Sequence, residues 1–260
     1  MRHVIFVFLA TTTVAACSSS SPAILPVDAG VEPDGGATVQ DGSTGPAVDG
    51  GDAAIDAGPT CTAAKEQLLK PIDTVSTGEV AVLADSGGVR TLYVDASAGG
   101  TAAQGTNPRI YINLETATRV AVTDRSAASS TTWDLAIKRP VLFANSGDGG
   151  PGTGGGIFFP GKALGELTTA DATGKTFPRE TFFDAECNAL LDPTGAVKTS
   201  FDGWYDYDGA TNQVTPKAGA WIIRGGTGKL YKVRIDGYYA TGDGGVGMSG
   251  GRYLLTVGAL

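Results

Sequence analysis

From Tyr231 to Asp236 the chain reads YKVRID, with Tyr231, Val233 and Ile235 on one side and Lys232, Arg234 and Asp236 on the other. Successive strand side chains point to opposite faces, so this spelling specifies a half-buried β-strand rather than a helical stripe. The pattern recurs. RIYINL at 109–114 gathers Ile110, Ile112 and Leu114; TWDLAI at 132–137 gathers Trp133, Leu135 and Ile137 as core and leaves Asp134 and Lys138 for the outer face. Turn residues separate the runs at Ser86-Gly87-Gly88, at 115–118, and at Gly225-Gly226-Thr227-Gly228 between WIIR and KLYKVRI. Helices are expected only over 62–70 and 178–191; in the second, Phe183, Cys187, Leu190 and Leu191 share a face at helical spacing. The reading is mainly β: a single antiparallel all-β domain over residues 61–260 with short helical insertions.

The N-terminus constrains location. MRHVIFVFLATTTVAAC carries a basic start, an apolar run too short to span a bilayer stably, and small residues before a cysteine. Val14-Ala15-Ala16-Cys17 matches a lipobox, so residues 1–16 read as a lipoprotein signal peptide and Cys17 as the lipidated residue. Two or more acyl chains there anchor the protein stably to a membrane that it does not cross. Residues 17–60 read as lipidated Cys17 followed by a disordered tether: 18–60 holds no aromatic, Lys or Arg and is rich in Asp, Gly, Ala and Pro. That segment holds seven of the 27 acids and Arg2 is the sole base before residue 61, so 61–260 carries 27 − 7 = 20 acids and 19 − 1 = 18 bases. The acidity belongs mostly to the tether, and nothing in it points to nucleic acid.

Chemistry-bearing residues are scarce. The single histidine, His3, lies in the signal peptide, which removes Ser/His/Asp, Cys/His and histidine-metal sites from the mature chain. Asp134, Glu166, Asp206 and Asp208 remain as carboxylates, a set almost any domain could offer, and the chain is not read as an enzyme. Cys61 and Cys187 either form a disulfide, as an exported compartment favours, or leave Cys187 as a buried apolar residue. GGTGK lacks the first glycine and the hydroxyl residue of a phosphate loop and reads as a hairpin turn. Gly150-Pro-Gly152-Thr-Gly-Gly155 satisfies GxGxxG without a following helix and reads as a flexible loop. Asp206-Tyr-Asp208-Gly209 lacks later calcium ligands and reads as a strand-ending turn.

Several blocks carry a resemblance. YINLETATRV, WDLAIKRPVLFANSG, WYDYDGATNQVTPKAGAWIIRGGTGKLYKVRIDGYYA and the lipobox, in this order, resemble the HmuY family of haem-binding bacterial lipoproteins over most of 77–257. The resemblance implies an all-β HmuY-like fold and, for characterised members, capture of haem for an outer-membrane receptor. It also implies axial ligands, histidines in the type protein and methionines in some relatives. This chain departs there. Its mature part has no histidine and one methionine, Met248, so the weak candidates for contacting a cofactor are Met248, Tyr205 and Tyr207.

The expectation is therefore a membrane-tethered, exported ligand-binding lipoprotein of the cell envelope, anchored by lipid to the outer membrane. It would hold haem or another planar or apolar small molecule without histidine ligands, with the loop at 145–156 as a rim free to vary. The alternative is a structural or interaction lipoprotein that keeps the fold without haem.

Overall fold

The computed structural model describes residues 61–260. The signal peptide, Cys17 and the tether lie outside the described residues. β1 (Val80–Ser86) and β2 (Val89–Asp95) form a hairpin about Gly87-Gly88. β3 (Ile110–Asn113), β4 (Thr118–Arg119), β5 (Leu135–Lys138) and β6 (Val141–Ala144) make a second sheet in the order β4-β3-β5-β6. β7 (Gly155–Pro160) returns to the first sheet, β8 (Tyr205–Asp208) and β9 (Gln213–Pro216) stand as a separate hairpin, and β10 (Gly219–Arg224), β11 (Leu230–Gly237) and β12 (Arg252–Ala259) close the first sheet. Its order is β1-β2-β12-β11-β10-β7, and every strand pairing is antiparallel.

The two larger sheets face each other across one core. Leu92 and Val94 of β2, Val233 of β11 and Leu255 and Val257 of β12 meet Ile110, Ile112, Leu135 and Ile137 of the smaller sheet. Burying such side chains contributes roughly 1.5–3 kcal/mol each before entropy is counted. The alternation of 231–236 is realised: Tyr231, Val233 and Ile235 are buried while Arg234 and Asp236 are exposed.

The smaller sheet is covered on its other face too. Tyr111, Ala136 and Phe143 pack there with Trp133, Phe182 and Phe183, and α1 (Thr62–Leu69) adds Ala64, Leu68 and Leu69. A disulfide joins Cys61, just before α1, to Cys187, with Cα atoms 5.3 Å apart and the two cysteines 126 positions apart in sequence. It fastens the start of the domain to the segment covering the same sheet.

Three expectations need correction. Residues 178–191 form no helix: Phe183 bridges Ala189, Leu191 bridges Val197, and Cys187 turns the chain at φ 62°. The Asp184 carboxylate accepts from the Glu186 and Asn188 N–H groups, which gives this backbone a turn in place of a helical ladder. Trp133 is core but does not share a face with Leu135 and Ile137. The backbone bends at Asp134, so the period-two rule breaks one residue before the strand begins. Asp134 itself is buried, not outward, and accepts from the Leu114 N–H at 2.7 Å and the Gly226 N–H at 2.9 Å, joining the two sheets at the β10–β11 turn.

Candidate functional site

Tyr205 and Tyr207, two positions apart, and Met248, about forty positions further on, line one cleft of about 890 Å³. Its walls come from the β8–β9 hairpin, the connection from β11 to β12, the Arg139-Pro140 turn between β5 and β6, and the loop after β2. Strand alternation places Tyr205 and Tyr207 two residues apart on one face of β8. Beyond β8 the chain turns at once, because Asp208 accepts from the Ala210 N–H and the Thr211 hydroxyl and Asn212 takes φ 56°.

The hairpin is held against the body by the Tyr239 hydroxyl and braced internally by that of Tyr207. The Tyr239 hydroxyl accepts from the Val214 N–H at 3.0 Å, and the Tyr207 hydroxyl donates to Asn212 Oδ1 at 2.7 Å. Behind the cleft, Trp204 meets Tyr205 edge-on at 4.7 Å and Tyr238 meets Tyr239 edge-on at 5.0 Å, while Tyr238 also contacts both Trp204 and Tyr253. The backbone of the Arg139-Pro140 turn is fixed from this cluster: Trp204 Nε1 donates to the Pro140 carbonyl and the Tyr253 hydroxyl to the Arg139 carbonyl. The cleft thus has a rigid aromatic floor. Its rim is different, for Tyr207 is 52% and Met248 97% exposed.

Burial pushes the Tyr238 phenol up to about 12 against the opposing pull of Arg139, and burial also raises Tyr205. These phenols stay protonated at neutral pH. Tyr205 is therefore a poor phenolate ligand, the Tyr207 and Tyr239 oxygens are already hydrogen-bonded, and the Met248 thioether stands in solvent. The donor set does not fit axial haem ligation, although the tyrosine faces suit a flat ligand.

Arg139 and Arg252 also line the cleft, and no Asp or Glu among the described residues does. Arg252 faces Asp95 at 3.5 Å, whereas the Arg139 guanidinium has no carboxylate within ion-pair range among the described residues. Sequence reasoning missed both arginines and Tyr239 as site residues. The Tyr238-Tyr239 doublet was the available signal; the arginines reach the cleft only through the pairing of distant strands.

The loop at 145–156 is not a free rim. Asn145 is fully buried, donating to the Ser130 and Trp133 carbonyls and accepting from the Gly152 N–H at 3.0 Å. A Cβ at Gly152 would lie 2.6 Å from both the Asn145 and Gly226 carbonyl oxygens, so these glycines serve close backbone approach rather than flexibility. The four carboxylates have local tasks: Asp134 as above, Glu166 accepting from the Ala163 N–H, Asp206 facing Lys217, and Asp208 in its turn. Among the described residues no group of three His, Cys, Asp or Glu side chains could hold a metal ion, and no helix is long and apolar enough to cross a membrane.

No family model matches the chain, and no curated protein matches it. Among solved structures it is similar to a Bacteroides fragilis protein described as a lipoprotein (17% identity, TM-score 0.40, 68% of this chain and 91% of that one). It is also similar to a Bacteroides vulgatus protein described as HmuY-like and heme binding (16%, TM-score 0.41, 69% and 96%). A third is the apo form of an HmuY analog from Tannerella forsythia (12%, TM-score 0.38, 72% and 100%). Likeness at this level assigns neither family nor ligand to the chain.

Proposed function

We propose that this protein is a non-catalytic, lipid-anchored binding protein of the cell envelope that holds a small molecule against the tyrosine faces of the 205–214 cleft. The observation that carries this reading is the convergence of Tyr205, Tyr207 and Tyr239 on one cleft with a rigid aromatic floor. Aromatic faces give large contact area at small entropic cost, and a fixed floor loses little freedom on binding. Haem is one planar ligand of suitable size, held by stacking and burial rather than by axial coordination.

Titrating haemin into the full chain carrying Cys17→Ser, which keeps it out of the lipid phase, tests this. We expect weak, saturable binding with a high-spin spectrum, unchanged by Met248→Ala because that side chain is solvent-exposed. A low-spin, six-coordinate spectrum that collapses in Met248→Ala would make Met248 an axial ligand and overturn the stacking account. A spectrum of free haemin throughout would remove haem as the ligand and, if no other small molecule binds, favour the structural-lipoprotein alternative.

The anchor has its own test. Cys17→Ser should move the protein from the membrane to the soluble fraction, since the acyl chains are the proposed sole anchor. Retention on membranes would sink the lipoprotein assignment.

A further inference from the structure

The charge and polarity of the same cleft say more about its ligand than its aromatic floor does. The domain has slightly more acids than bases, 20 against 18, yet among the described residues two guanidiniums and no carboxylate line this cleft. Arg252 is partly neutralised by Asp95 at 3.5 Å. Arg139 is half-buried at the turn between β5 and β6, without a carboxylate partner among the described residues, and its backbone is held by the Tyr253 hydroxyl and by its own N–H bond to the Ala96 carbonyl. A positive group on an anchored turn, with no carboxylate partner among the described residues, is complementary to an anion, and a planar guanidinium matches a carboxylate in particular.

The remaining lining separates a hydrocarbon from a polyhydroxylated ligand. Thr101, Asn212, Gln213 and Ser249 bring hydroxyl and amide groups to the cleft wall. An apolar ligand covering them would strand donors and acceptors, at roughly 1–3 kcal/mol for each group left unsatisfied. A sugar offers hydroxyls to meet them and a flat face of C–H bonds to lie on a tyrosine ring. Tyr207 is suited to that role: its ring is half exposed, and its hydroxyl bond to Asn212 fixes the plane before any ligand arrives. A volume of about 890 Å³ exceeds what one sugar ring fills, so a short run of linked residues fits.

We propose that the cleft binds an acidic glycan, a saccharide chain carrying a uronic- or sialic-type carboxylate, with the carboxylate on Arg139 and a sugar ring on Tyr207. This rests on the reading of the cleft as a ligand site and names the class of ligand.

Isothermal titration of the full chain in detergent, with trigalacturonate and with its carboxyl-reduced neutral counterpart, tests the assignment. The acidic trisaccharide should bind about tenfold more tightly than the neutral one. Arg139→Gln should abolish that preference while leaving the neutral sugar's affinity unchanged. Its guanidinium has no hydrogen-bonded or ion-paired partner among the described residues, so the fold should survive. Tyr207→Ala, at an exposed ring, should weaken both sugars together. Equal affinity for the two sugars, or a preference that persists in Arg139→Gln, would overturn the proposal. If both sugars fail while haemin saturates, the glycan assignment falls and the binding site stands; if haemin and sugars all fail, the binding reading falls with it.

Discussion

Trp133→Ala lowers the unfolding free energy by about 3–5 kcal/mol, the cost of truncating a large aromatic in a packed interior. The side chain is fully buried, meets Tyr111 edge-on at 5.0 Å and Phe143 at 6.0 Å, and donates from Nε1 to the Ala127 carbonyl at 3.0 Å. Removal leaves a cavity and an acceptor without its donor. The loop at 150–154 should loosen as well, because Gly150 packs directly on the indole. Urea unfolding with an unchanged slope is the measurement. A loss below about 1 kcal/mol would mean that the indole is not the centre of this second core.

Glu180→Ala should cost a similar amount, about 3–5 kcal/mol, through stranded donors rather than a cavity. Glu180 is buried, and its carboxylate accepts from the Ala144 N–H at 2.7 Å, the Ser200 N–H at 2.8 Å and the Ser200 hydroxyl at 2.6 Å. These bonds tie the end of β6 to the chain leading into β8, behind the cleft hairpin. Burial raises the Glu180 pKa despite those donors, and burial raises Asp134 against its two backbone donors. The folded state therefore binds these two protons more tightly than the unfolded chain does. Their stabilisation is fully present below the ordinary carboxylate values and is lost as pH rises through the raised folded values. Asp184, Asp208 and Asp243 act oppositely, held low by Asn188, Thr211 and Thr241; their contribution is present above 3.8 and lost as pH falls through their depressed values. Stability should rise on mild acidification from neutral pH and fall again under strong acid. Glu180→Ala should shrink the rise and leave the acid limb in place.

The sheet was legible because alternation is a local code. At 231–236 every side-chain direction read from the sequence is the direction found, and the glycine turns at 87–88 and 225–228 close the expected hairpins. Local codes failed where a side chain answers to distant backbone. Asp134 reads as a surface residue until the Leu114 and Gly226 amides are brought to it, and the apolar spacing at 183–191 imitates a helix that the Asp184 turn and the positive φ of Cys187 prevent. The glycines at 150–155 have the composition of a mobile loop but are small because Asn145 approaches Gly150, Gly152 and Gly154, Gly226 approaches Gly152, and the Pro178 carbonyl approaches Gly155. The cleft was half visible. Tyr205 and Tyr207 are neighbours in sequence, whereas Arg139, Tyr239 and Met248 reach them only after the strands pair, and no spacing rule encodes that meeting.

On the proposed function, the ligand site lies beneath the 205–214 hairpin and not at the buried 145–156 loop. Amide hydrogen exchange of the full chain carrying Cys17→Ser, measured with and without saturating haemin, compares the two regions directly. Slowed exchange is expected across 205–214 and 238–250, with 145–156 unchanged. Slowed exchange at 145–156 with 205–214 unaffected would contradict that placement.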